Sequence, residues 1–187
     1  MLSKEMVAII SEQIKKEYES AYMYLEISDY YQNLGLNGFA NWFFIQAREE
    51  VDHAMIFYEY LHSNSAQVQF YEIKPTFRKY GDVSEPLEES LIHEEYVTDS
   101  INKIYELAEK EKDFRTKQFL SWFITEQQEE EENARKIIEK MKLFGSSAAG
   151  LYELDHEFNK RFYSVPAVLK NKYFFFTIGP KFEIRTN

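Results

Sequence analysis

The sequence contains no cysteine. That excludes disulfides, thiolate-held metals and a cysteine nucleophile together. Glycine and proline are scarce, six and four among 187 residues, and they cluster, so long stretches run without a helix breaker. No apolar run approaches the roughly 18 residues of a membrane span. The N-terminal "MLSKEMVAII" lacks the long apolar stretch of a signal peptide, and a soluble cytoplasmic protein is expected. Basic residues are outnumbered by acidic ones, 22 to 32, for a net charge of -10. Binding to nucleic acid or to an anionic membrane is thereby disfavoured, and a cationic partner fits better. Aromatic residues are abundant instead: 16 Phe, 14 Tyr and 2 Trp. Such side chains dominate cores and subunit interfaces.

Apolar periodicity predicts four long helices: about Lys4 to Asn33 with Ser3 as N-cap, Gly38 to Ser65, Ser84 to Lys112 and Asp113 to Phe144. A short fifth helix is expected over about Ala148 to Phe162, after the joint "GSSAAG". Short loops join helices one to two and three to four, so each pair is an antiparallel hairpin. The link between two and three carries Pro75, Gly81 and Pro86 and has no helical period. Roughly 20 extended residues at ~3.3 Å each can run the length of a ~40 Å helix, which would make helices two and three parallel. The expected fold is all-α, a four-helix bundle with one long crossover plus a short fifth helix.

Each long helix breaks its own apolar stripe with polar residues in its interior. The first stripe passes through Gln13 and Glu17, the second through Gln46, Glu50 and His53, and the third through Glu94. The fourth reads Leu120, Phe123, Ile124, Gln127, Glu130, Ala134, Ile137, Ile138 and Met141. Assembled, these interruptions meet in one layer. Buried carboxylates that close together repel one another and demand positive charge. Lys15, Lys16 and Arg48 fall off the stripes, so no buried basic residue supplies it. Two divalent cations would balance Glu17, Glu50, Glu94 and Glu130 one for one. Glu50 and His53 are spaced i, i+3 and project from one face. Carboxylate with imidazole suits Fe, Mn or Zn better than Mg or Ca. His62, His93 and His156 stand outside the pattern and read as surface or interface residues.

The segments "EQIKKEYESAYMYL", "REEVDH" and "SWFITEQQEEEENARKII" resemble the bacterial non-haem ferritins, and the similarity continues to about Phe162 through "AGLYELDHEFNKRF". The resemblance implies an iron-storage ferritin with ferroxidase activity, oxidising Fe²⁺ with O₂ or peroxide. It implies a first iron held by Glu17, Glu50 and His53, and a second held by Glu94 and Glu130 with Glu50 bridging. Gln127 would hydrogen-bond near bound oxygen species, and Tyr24 would stand beside the site as hydrogen-bond partner or electron donor. A third iron site is implied at Glu49, Glu126 and Glu129, sharing Glu130. The resemblance also implies a hollow homo-oligomeric shell of 24 subunits.

Several departures separate the chain from related families. Bacterioferritins carry a second Glu-x-x-His where this sequence has Gln127 and Glu130, and a haem-binding Met where it has Val51, so no haem is expected. Rubrerythrins need cysteines that are absent here. Two competing readings are a di-iron oxidoreductase that acts on peroxide without storage and a metal-free helical bundle that binds a partner. The expected domains are residues 1–162, ferritin-like, and 163–187, an extension of unassigned role. That extension carries Lys170, Lys172, Lys181 and Arg185 against Glu183, and Phe174 to Phe176 are expected to pack against a neighbouring subunit.

Overall fold

The computed structural model describes residues 1–74 and 78–169. Among the described residues five helices follow one another: α1 Lys4–Asn33, α2 Asn37–Ser63, α3 Glu85–Lys110, α4 Phe114–Phe144 and α5 Ala148–Phe158. None is long and apolar enough to cross a membrane. The start of α1 follows from Ser3, whose Oγ accepts from the Met6 amide at 3.0 Å and so satisfies one of the free N–H groups of the first turn. Asp113 caps α4 in the same way through Thr116. Gly35, at φ +76°, makes the left-handed turn between α1 and α2.

Contacts between the helices fix their directions. Tyr31 meets Phe39 and Tyr24 meets Phe43, so α1 and α2 run antiparallel. Gln13 meets Ser100 and Ser20 meets His93, so α1 and α3 are antiparallel too. Helices α2 and α3 are therefore parallel, as the long crossover requires. That crossover starts along α1: the Gln69 amide donates to Ser11 Oγ at 3.1 Å, and Val68 is buried in the core.

The core is two apolar clusters separated by a polar layer. One cluster gathers Met6, Ile10 and Ile14 of α1 with Phe57, Val97, Ile101 and Phe123. The other gathers Tyr24, Ile27 and Tyr31 with Phe39, Phe43, Leu87 and Ile137. In α1 the two sets flank Glu17, in α2 Glu50, in α3 Glu94, and in α4 Gln127 and Glu130. The interrupted stripes thus become one stratum. Ile124 departs from its expected place and is exposed, because the side of α4 that carries it faces away from α2 and α3.

The fifth helix ends at Phe158, four residues before its expected end, and serves as a cap for α2. Leu36 at the N-cap of α2 offers no side-chain acceptor. Asp155 Oδ1 replaces it, accepting from the amides of Gly38 at 2.7 Å and Phe39 at 3.1 Å. The approach is so close that a Cβ on Gly38 would stand 1.6 Å from the Asp155 carbonyl oxygen. Phe158 then packs edge-on against Phe39, with ring centroids 4.8 Å apart.

Beyond α5 the chain continues along α2 as far as described. Tyr163 hydroxyl donates to Asp52 Oδ2 at 2.6 Å, and Leu169 is 2% exposed in the apolar cluster around Phe57. Packed chain therefore lies on both sides of residue 162, where the ferritin-like domain was expected to end. Leu169→Ala is expected to lower the unfolding free energy by about 2–3 kcal/mol, the loss of a buried leucine with its cavity, measured by guanidinium unfolding. Phe174 to Phe176 lie outside the described residues.

Candidate metal centre

Eight polar side chains form the layer between the clusters: Gln13 and Glu17 from α1, Gln46, Glu50 and His53 from α2, Glu94 from α3, Gln127 and Glu130 from α4. All are buried. Among the described residues, Glu17, Glu50 and His53 bring ligand atoms within 4.8 Å of one another, and so do His53, Glu126 and Glu130. His53 is common to both groups, with Nδ1 3.5 Å from Glu50 and Nε2 3.8 Å from Glu126.

Each remaining carboxylate is held by a neighbour. Gln13 Nε2 donates to Glu17 Oε1 at 2.8 Å. Gln46 Nε2 donates to Glu130 Oε2 at 2.7 Å. The Tyr24 hydroxyl donates to Glu94 Oε1, and Gln127 Nε2 reaches Glu94 Oε2 at 3.2 Å and its backbone carbonyl at 3.3 Å. Tyr24 and Gln127 thus both serve Glu94. Two atoms of the layer, Glu17 Oε2 and His53 Nε2, are buried with no hydrogen-bond partner. Orphaned polar atoms at such depth are costly unless a cation completes them.

The electrostatics tell the same story. Burial pushes the Glu94 and Glu130 carboxyls up to about 7. It raises Glu17 and lifts Glu50 well above the usual carboxylate range. Burial alone would lower His53, but the facing carboxylates of Glu126, Glu50 and Glu17 hold it well above its ordinary value. Tyr24 is raised by burial and then by Glu94, so it stays a neutral donor. The layer without cations is therefore proton-loaded. A divalent ion would supply the positive charge that protons supply otherwise.

Sequence periodicity missed the supports of the layer. Lys16 Nζ donates to Ser100 Oγ at 2.6 Å, and that hydroxyl donates to Gln13 Oε1 at 2.6 Å. A chain of hydrogen bonds thus runs from a basic residue off the stripe to Glu17. Arg161, beyond α5, performs the same service for Gln46, donating to its Oε1 at 2.9 Å. The donor end of each amide faces a carboxylate because a cation, directly or through a hydroxyl, has claimed the acceptor end. Gln13 and Gln46 were visible as stripe interruptions, but nothing local marks Ser100 or Arg161.

The residues expected at a third site have different surroundings. Glu49 Oε2 accepts from Arg161 Nη2 at 2.5 Å. Glu126 faces His53, and Glu129 is exposed. His93, expected at the surface or an interface, is half-buried. Its Nε2 lies 2.7 Å from Ser20 Oγ, and its ring stands edge-on to Tyr24. Burial drops its pKa to about 4, so it is neutral at physiological pH. His62 and His156 are exposed, as expected.

Comparison with known proteins agrees with this architecture. The ferritin-like domain model matches residues 7–144. A bacterial non-heme ferritin of Campylobacter jejuni is 37% identical over 155 residues, covering 83% of this chain and 93% of that protein. A Staphylococcus epidermidis bacterial non-heme ferritin is 34% identical over 161 residues, covering 86% of this chain and 97% of its own length. The structure of an open-pore ferritin from the archaeon Archaeoglobus fulgidus superposes with a TM-score of 0.85 at 36% identity, covering 87% of this chain and all of that one. Similarity of sequence and of fold, each across nearly the full length of the relatives, leaves a single assignment: this chain belongs to the ferritin family.

Proposed function

We propose that the chain is an iron-storage ferritin with ferroxidase activity, working in the cytoplasm without haem. It takes Fe²⁺ as substrate at the buried layer, oxidises it with O₂ or peroxide, and delivers ferric ion to mineral inside a 24-subunit shell. Glu17, Glu50 and His53 hold the first Fe²⁺, and Glu94 and Glu130 the second, with Glu50 between them. The observation that carries this reading is the pair of orphaned atoms, Glu17 Oε2 and His53 Nε2, in a layer of four buried carboxylates. Four negative charges and two Fe²⁺ neutralise one another.

Two Fe²⁺ yield two electrons. That suffices to reduce O₂ with two protons to hydrogen peroxide, or hydrogen peroxide with two protons to water. The protein's part is to bind both ions close together and to fix its ligands in advance. Gln13 holds Glu17, Gln46 holds Glu130, and Tyr24 with Gln127 holds Glu94. The aromatic clusters on either side keep bulk water out. Large apolar side chains left exposed on the monomer, among them Tyr22, Leu25, Phe44 and Ile92, support burial between subunits.

Stopped-flow absorbance after aerobic addition of two Fe²⁺ per chain tests the chemistry. Rapid growth of ferric absorbance is expected, and its absence would defeat the ferroxidase reading. Electron micrographs after iron loading test storage. Hollow shells with dense cores are expected, whereas oxidation without cores would leave a peroxide-consuming enzyme that stores nothing.

A further inference from the structure

We propose that Arg161 is a built-in third cation, its guanidinium filling the place beside Glu49 that an additional metal ion would otherwise take. The inference rests on the dinuclear reading above. It bears on the third iron site expected at Glu49, Glu126 and Glu129, of which Glu49 is the residue the guanidinium engages.

Both terminal nitrogens of the guanidinium are engaged. Nη2 donates to Glu49 Oε2 at 2.5 Å. Nη1 donates to Gln46 Oε1 at 2.9 Å and to the Trp42 carbonyl at 3.2 Å. Its plane lies over the Trp42 ring, 4.2 Å from the centroid. A surface ion pair made by a mobile side chain would not gather four partners from one helix. An arginine suits this role better than a lysine because its flat fork meets carboxylate and amide oxygens together while stacking on an aromatic face.

The backbone that delivers Arg161 is tied down as well. Asn41 Nδ2 donates to the Arg161 carbonyl at 3.1 Å and to that of Phe158 at 3.4 Å. Two residues further on, Tyr163 bonds to Asp52, and its ring lies 3.6 Å from the Arg48 guanidinium carbon. Asp52 is only 4% exposed although it lies off the core stripe of α2; Tyr163 meets it there. Residues 159–169 therefore form a strap along α2 that places one fixed positive charge next to the metal layer.

The position matters because Glu49 directly precedes Glu50 of the metal layer and its Oε2 accepts from Arg161 Nη2. A divalent ion would be attracted to the same oxygens. With the guanidinium seated there, it meets like charge and finds Glu49 Oε2 already bonded. Through Gln46, Arg161 also holds the amide that donates to Glu130, so the resident cation is connected to a ligand of the second ion.

The test counts ions rather than turnover. Full-length apoprotein is titrated with Zn²⁺, which is redox-inert, by calorimetry with metal analysis after desalting. The parent is expected to retain two tight ions per chain, and Glu50→Ala to lose them. Arg161→Leu is expected to gain one further ion, which the double variant Arg161→Leu/Glu49→Gln loses again. Arg161→Lys, which restores a positive charge, is expected to return to the parent count. An unchanged count in a folded Arg161→Leu overturns the inference while leaving the dinuclear reading intact. A parent that retains no ions sensitive to Glu50→Ala overturns the dinuclear reading and the inference with it.

Discussion

Glu50→Ala is expected to abolish fast Fe²⁺ oxidation, a loss on the order of a hundredfold or more, because the two ions lose the group that holds them together. His53→Ala should do the same, since His53 belongs to both groups of converging ligand atoms. The bundle should nevertheless fold. The two apolar clusters lie on either side of the layer and do not depend on it. Glu50→Gln makes the point more sharply, because it keeps the volume and removes the charge. Burial lifts the Glu50 carboxyl well above its usual range, so the apoprotein favours its neutral form and a neutral amide suits the position. The Gln variant should therefore melt at or above the parent's temperature without metal and below it when Zn²⁺ is present. Unimpaired Fe²⁺ oxidation in Glu50→Ala, followed by stopped-flow absorbance, would sink the site assignment.

The second large effect is a pH dependence that metal should erase. Glu94 and Glu130 titrate at about 7 in the folded protein against an ordinary 4.5. Glu17, Glu50 and His53 are also raised. Between those values the folded state binds more protons than the unfolded chain. The stability they contribute is fully present below about pH 4.5 and is lost as pH rises through about 7. At the layer, apoprotein should thus gain stability on acidification across that window. The groups are coupled, so the combined effect is on the order of a few kcal/mol rather than the sum of separate shifts. One group opposes them inside this window. Burial holds His93 at about 4 against an ordinary 6.5, so the folded state loses stability through it as pH falls below about 6.5. The lowered Asp113 carboxylate loses its stabilisation only at more acidic pH. The gain from the layer is therefore read between about pH 7.5 and 6.5. With two Zn²⁺ per chain the layer is neutralised by metal, and the dependence should flatten. Binding should also release protons at pH 6.5, measurable by calorimetry in buffers of different ionisation enthalpy. Apoprotein whose melting temperature falls steadily from about pH 7.5 to 6.5, where His93 is neutral in the folded and largely neutral in the unfolded state, would contradict this electrostatic picture.

Much of the site was legible because helical periodicity is local. A glutamate at an apolar position of a 3.6-residue repeat is visible without any partner, and four such faults at mid-helix pointed to one layer. The crossover was legible for the same reason: its length admits a parallel pairing of α2 and α3 and little else. Glu17, Glu50, His53, Glu94, Gln127 and Glu130 all occupy that layer. Ile124 shows the limit of the method. Its place in the repeat sits at the edge of the buried stripe, and only the rotation of α4 against its neighbours decides that it faces out.

The amino-acid sequence by itself determined the helices, their order and the polar stratum, since each follows from propensity, spacing and connection length along one segment. Tertiary structure alone decided how the stratum is held. Ser100 stands 87 residues from Gln13, Arg161 115 from Gln46 and 112 from Glu49. His93 finds Ser20 across 73 residues. Such pairings carry no periodic signal, because a lysine, serine or arginine suits a solvated surface as well as a buried partner. Which role each takes is set by where packing of the aromatic clusters and docking of α5 bring distant backbone together.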